Sequence, residues 1–202
     1  IAGSPVDPEA TEAARAAARL CESLGHYVEE AAPKLDAAAL GGASFVLSAS
    51  SIAADLVDRA KATGLVPGPD LLEPITLAFF GYGQQTTGMD FARANNSLQT
   101  AAVTVADFMA DYDLILSPTV AAPPLELGRI NLSGDLDFRA WGQRIAAFSP
   151  FAQLANLTGQ PAMSVPLAMS ASGLPMGVMF TGRYGQEALL FRLAGQLETA
   201  AP

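Results

Sequence analysis

The sequence predicts a three-layer α/β fold, with helices on both faces of a β-sheet, and three stretches carry that expectation. A helix start, a glycine stop and a strand-like run follow one another between Asp7 and Glu30. A long amphipathic helix runs directly into the apolar stretch Asp113-Leu-Ile-Leu116. Near the end, two strands punctuated by proline and glycine precede a final amphipathic helix. Helices and strands that take turns along a chain are the pattern of layered α/β domains.

The elements are justified in order. Asp7-Pro-Glu9 combines a capping carboxylate, proline at the first helical position and an acid facing the helix dipole. Alanine-rich sequence then continues to Leu24, and Gly25 is the expected stop. His26 to Glu30 reads as a short strand. Gly41 and Gly42 break the next segment, so a helix is expected from Ala43 to Thr63, stopped by Gly64. Asp70 caps a further helix toward Phe80, with Pro74 in its first turn and Gly81-Tyr-Gly83 as its end.

The clearest helix runs from about Asp90 to Asp111. Phe91, Leu98, Val105 and Tyr112, with Ala94, Ala101 and Phe108 between them, make one apolar stripe. The strand at Asp113 to Leu116 closes on Ser117-Pro-Thr119, and Pro123-Pro124 excludes a regular central strand there. Asp137 to Phe148 is a short helix. Pro161 to Pro166 is a strand bracketed by prolines, and Met176 to Gly182 is another, entered through Ser172-Gly-Leu-Pro175. Glu187 to Leu197 closes the chain with leucines every four residues. With no internal repeat or linker, residues 1–202 read as a single domain.

Composition narrows the function classes. Half of the 202 residues are apolar and 15% are charged, which favours a packed core over disorder. The net charge is −9 and the isoelectric point is near 4.4. A nucleic-acid or anionic-lipid surface needs clustered Lys and Arg, whereas the only two lysines, Lys34 and Lys61, share no patch. Single Cys21 allows no internal disulfide or cysteine metal cluster. No run approaches the ~18 consecutive apolar residues of a membrane span. The first residues are no signal peptide, and the start at Ile1 reads as an internal cut. A cytoplasmic protein with no cofactor and no metal is the expectation.

The usual catalytic constellations are missing. The sequence has neither a Gly-x-Ser-x-Gly elbow nor a Walker-type phosphate loop, and Gly81, Gly83 and Gly88 have the wrong spacing for a dinucleotide fingerprint. His26, the only histidine, follows a helix end, where a structural role is expected. Cys21 falls on the apolar side of the first helix with Ala14, Ala17 and Leu24, as inert packing does. Three glycosylation sequons, at Asn95, Asn131 and Asn156, are read as chance.

One stretch is more specific. Ser149 to Glu187 contains Asn156-Leu-Thr-Gly-Gln-Pro-Ala162, then Gly173-Leu-Pro-Met-Gly177, then Thr181-Gly-Arg-Tyr-Gly-Gln-Glu187. This run resembles the carboxyl-terminal signature of amidase-signature enzymes. Leu114-Ile-Leu-Ser-Pro-Thr119 with Ala122-Pro-Pro124 is similar to the family's strand-and-proline segment. Val6-Asp-Pro-Glu9 with Gly25-His-Tyr-Val28 is similar to the element that opens its second half. These matches occur in order across nearly the whole chain, and the wording around Gln160 to Met169 is nearest to hydrolases of 6-aminohexanoate cyclic dimers. Each element also has a structural reading: Asn156 and Thr158 shape a turn, Gly159 permits positive φ, and Pro161 and Pro166 delimit a strand.

The resemblance implies the second half of the amidase-signature fold, a three-layer α/β/α arrangement with a mixed β-sheet. It implies hydrolysis of an amide by a Ser–cis-Ser–Lys triad with a glycine-rich oxyanion turn. Those residues lie in the family's first half, so no catalytic residue is assigned here. Gly41-Gly-Ala-Ser44 is only superficially similar to the Gly-Ser stretch, and neither lysine matches the family base. By position relative to the Asn-x-Thr-Gly turn, Ala146, Ser149 and Gln153 match a segment that lines the family's acyl pocket. Phe45, Phe79 and Tyr82 are further substrate-binding candidates. The expected partners are a small-molecule amide and the amino-terminal half of the same protein, with a homodimer left open. The competing expectations are a non-catalytic scaffold with the same fold and a partner-dependent amidotransferase subunit.

Overall fold

In a computed structural model of the chain, residues 5–131 and 137–201 are described. The start at Ile1 and most of the Asn131 sequon lie outside them. The chain divides into two compact units. One comprises residues 1–35, 102–126 and 146–202, and the other residues 36–101 and 127–145.

The first unit contains the sheet. Strands β1 (Leu114–Pro118), β2 (Ala162–Met169) and β3 (Pro175–Gly182) lie in the order β1-β3-β2. Both pairings are antiparallel, with Leu116 opposite Phe180 and Val165 opposite Val178. A mixed sheet therefore needs strands beyond these three. Central β3 is buried along Val178-Met-Phe-Thr181, which explains why it reads as an apolar run without alternation.

Side-chain alternation sorts β1 into two layers. Leu114 and Leu116 join Val178 and Phe180 against helices α1 (Pro8–Ser23) and α7 (Glu187–Ala200), through Ala13, Ala17, Cys21, Leu190, Leu193 and Leu197. Ile115 faces the opposite way, to Val105 at the end of α4 (Gly88–Phe108), to Met109 just beyond it and to Leu154 of α6 (Ala152–Thr158). Helix, sheet and helix are the three expected layers. Fully burying side chains such as Phe180 and Leu197 stabilises by roughly 1.5–3 kcal/mol each.

Local chemistry sets the ends of the elements. The Asp7 carboxylate accepts from the Glu9 N–H at 2.8 Å, and the Asp7 N–H donates to the Ala121 carbonyl at 2.8 Å, so the α1 cap is also a tertiary tie. Helix α6 ends at Gly159, whose φ of +78° is the left-handed cap that any residue with a Cβ adopts at a cost. Strand β2 runs past Pro166 to Met169, because its register shifts between Val165 and Ala168 and an irregularity tolerates proline. His26 to Glu30, expected as a strand, has no ladder partner among the described residues.

The second unit is helical. Helix α2 (Ala37–Thr63) begins at the Asp36 cap, so Gly41 and Gly42 lie inside it instead of ending a loop. Helix α3 (Pro74–Gln85) starts on Glu73, not Asp70, and continues through Gly81 and Gly83. Glycine costs a helix interior about 1 kcal/mol. At Gly83 that cost is offset by packing: a Cβ there would overlap the Ala49 carbonyl and the Ala53 side chain of α2. Helix α2 is long and apolar enough to cross a membrane by length and composition, although serine and glycine interrupt its apolar residues and leave no long consecutive run. On α4, Ala94, Ala101 and Val105 of the expected stripe are buried, whereas Phe91 is exposed.

Candidate functional site

Of the residues singled out from sequence, Phe45, Phe79 and Tyr82 are brought together in the helical unit. Phe45 comes from α2 and Phe79 and Tyr82 from α3, with ring centroids 5.3 Å apart for Phe45–Phe79 and 4.4 Å for Phe45–Tyr82. Phe138, the first residue of α5 (Phe138–Phe148), completes the group at 5.4 Å from Phe45 and 5.2 Å from Phe79. Edge-on and tilted pairs at these separations suit the ring quadrupoles. Sequence reasoning missed Phe138; its signal was an aromatic residue directly after the Asp137 cap, whose carboxylate accepts from the Ala140 N–H at 3.0 Å.

One turn beyond Phe138, the Trp141 indole N–H is buried without a hydrogen-bond partner among the described residues. Tyr82 also borders a hollow of about 510 Å³ in this unit, lined by Ala39, Gly42, Ala43, Gln85, Asp90 and Arg93 among others. Asp90 there accepts from Thr87 Oγ1 at 2.6 Å and from the Thr87 N–H at 3.2 Å. Those two bonds hold its carboxyl below the usual aspartate range.

Ala146, Ser149 and Gln153 belong to the sheet-bearing unit, where α5 gives way to α6. All three are half-buried. They sit just ahead of the Asn156-Leu-Thr-Gly159 turn, which is built by side chains: Thr158 Oγ1 donates to the Leu154 carbonyl at 2.7 Å and also meets Gln160 Oε1 at 2.6 Å.

Candidates for chemistry are accounted for otherwise. Gly41-Gly-Ala-Ser44 is helical throughout, so its N–H groups cannot form an oxyanion turn. Lys61 pairs with Asp58 at 3.0 Å on the surface. His26 Nε2 lies 3.0 Å from Gln196 Oε1. Burial raises the Cys21 thiol above its ordinary value, which disfavours the reactive thiolate. Among the described residues no group of three His, Cys, Asp or Glu side chains is placed to hold a metal.

Comparison with known proteins places this architecture. The amidase family pattern matches residues 2–191. The chain is 34% identical over 209 residues to the 6-aminohexanoate-cyclic-dimer hydrolase of Paenarthrobacter ureafaciens, covering 98% of this chain and 41% of that protein. It is 36% identical over 196 residues to the putative amidase AmiC of Mycobacterium leprae, covering 96% of this chain and 41% of that one. A solved structure of 6-aminohexanoate cyclic dimer hydrolase superposes with a TM-score of 0.81 at 33% identity, covering 98% of this chain and 42% of that one. The chain thus spans about two-fifths of the length of these relatives. Signature turns, layer order and family match agree: the chain belongs to the amidase-signature family.

Proposed function

We propose that this chain is the carboxyl-terminal part of an amidase, which adds water across a carboxylic amide and breaks its C–N bond to give an acid and an amine. The observation that carries the reading is the family match over nearly the whole chain, with relatives whose remaining three-fifths lie outside it. The Ser–cis-Ser–Lys residues then belong to that remainder. There the Lys would act as base through the bridging Ser, and the second Ser would attack the carbonyl. The present part supplies scaffold and substrate contacts, in a protein we place in the cytoplasm.

The Phe45, Phe79, Tyr82 and Phe138 rings form an apolar surface of the kind that holds a substrate's hydrocarbon portion. Ala146, Ser149 and Gln153 are proposed as further contacts, with Ser149 and Gln153 able to orient a polar group. The test is hydrolysis of a series of acyl amides by the full-length gene product and its Phe79→Ala and Ser149→Ala forms. Losses in kcat/KM that grow with acyl length in Phe79→Ala support the reading. A full-length product that hydrolyses no amide overturns it.

A further inference from the structure

Gly42 sits inside helix α2, where glycine weakens the helix and where a Cβ would meet nothing within 4 Å. Gly83 is required by its close approach to Ala49, but no such contact accounts for Gly42. What Gly42 borders is the hollow of about 510 Å³ formed by the start of α2, the end of α3 and the start of α4. Every residue lining it falls between Ala38 and Ser97, so the helical unit builds it alone. Its volume is that of a small-molecule site.

The lining combines apolar carbon with one cation. Ala39, Gly42, Ala43 and Val46 of α2 supply the apolar wall. Among the described residues, Arg93 of α4 is the only Lys or Arg in the lining, and no described side chain pairs with its guanidinium. Asp90, three residues earlier, is held by Thr87 through two hydrogen bonds. An uncommitted guanidinium suits a carboxylate, which it can hold through two parallel N–H···O bonds. A phosphate dianion suits the hollow less, because the Asp90 charge would repel it there. Tyr82 connects the hollow to the ring cluster: it lines the one and meets Phe45 edge-on in the other.

We propose that this hollow holds a carboxylate carried on a short hydrocarbon chain, as the end of an amide substrate remote from the bond that is cut. Arg93 takes the carboxylate, the α2 wall and the Tyr82 ring take the chain, and the open space at Gly42 admits it. The proposal rests on the amidase reading and narrows it to amides that bear a second, free acid group. In that role Arg93 determines specificity and has no part in breaking the C–N bond.

Two measurements on the full-length gene product test it. The first is the Kd of hexanoate and of hexan-1-ol by ligand-observed NMR, which needs no turnover. Hexanoate should bind at least about 10-fold tighter than the alcohol, and Arg93→Met should remove that difference while Arg93→Lys keeps part of it. Gly42→Leu, which fills the hollow at a position where a Cβ meets nothing and raises helix propensity, should weaken both ligands. The second measurement is kcat/KM for adipic acid monoanilide and for hexananilide, which differ in the far carboxylate. The expected preference for the acid is at least about 10-fold, falling to within about 2-fold in Arg93→Met. Equal binding of hexanoate and hexan-1-ol, or a preference indifferent to Arg93, overturns the proposal. Equal hydrolysis of the two anilides keeps the amidase reading and overturns this one alone. Hexanoate binding through Arg93 in a product that hydrolyses no amide overturns the amidase reading and leaves the carboxylate site in place.

Discussion

Gly83 of α3 lies against the backbone of Ala49 in α2, so closely that no side chain fits between them. Ala49 is fully buried, and Ala53 one turn further also meets the space a Cβ would need. Two helices held this near each other depend on small residues at the contact. That contact fixes the segments carrying Phe45 on one helix and Phe79 and Tyr82 on the other.

Gly83→Ala should therefore destabilise the protein by about 1–3 kcal/mol, the usual cost of overpacking. Gly81, two residues earlier, has nothing within 4 Å of its Cβ position. There the same change should stabilise by about 0.5–1 kcal/mol through helix propensity. Urea unfolding midpoints of the two variants should move in opposite directions.

These two glycines also show where sequence reasoning stopped. Gly81-Tyr-Gly83 looked like a helix end because glycine interrupts helices, yet the need for close approach to Ala49 is a tertiary fact that no local pattern carries. The same holds for Gly41 and Gly42, which the Asp36 cap places inside α2. Local signals were enough at Asp7-Pro8, at Gly64 and at Gly159, where capping and left-handed geometry involve neighbours in sequence. The three layers were legible because Leu114, Ile115 and Leu116 form one short apolar run that both faces of a sheet can bury. His26 to Glu30 carries strand chemistry, but a ladder also needs a partner. At the candidate site, Phe79 and Tyr82 were candidates as a hydrophobic stretch and Phe45 as a residue near a helix start, whereas Phe138 is distant in sequence and joins them only through folding.

The Thr87–Asp90 bonds make part of the stability acid-sensitive. The folded chain holds the Asp90 carboxyl below its ordinary value, so unfolding binds a proton more readily. The contribution is complete above the unfolded aspartate value near about 4 and is lost as pH falls through the depressed folded value. Asp90→Asn should flatten that portion of the stability–pH profile and leave its slope near neutral pH unchanged.

The two phenols on Glu29 predict the opposite end of the pH scale. Hydrogen bonding to Glu29 raises Tyr112, and the same cause raises Tyr27. Both hydroxyls should ionise later than a free tyrosine in a spectrophotometric titration of the 202-residue chain. Glu29→Gln should remove that delay, and a titration indifferent to the substitution would contradict the pairing.

Cys21 offers a check on the helix-facing layer. With its side chain buried against the sheet and its thiol raised by desolvation, it should react with a disulfide reagent slower than a free cysteine by at least about 10-fold. Unfolding in urea should restore the full rate.

The central claim is that this chain carries scaffold and substrate contacts while the nucleophile lies elsewhere in an amidase. The most direct measurement is turnover of an aryl amide by the purified 202-residue chain beside the full-length gene product. The account predicts hydrolysis by the full-length product and none by the chain alone. Turnover by the purified chain, free of any longer product, would contradict it.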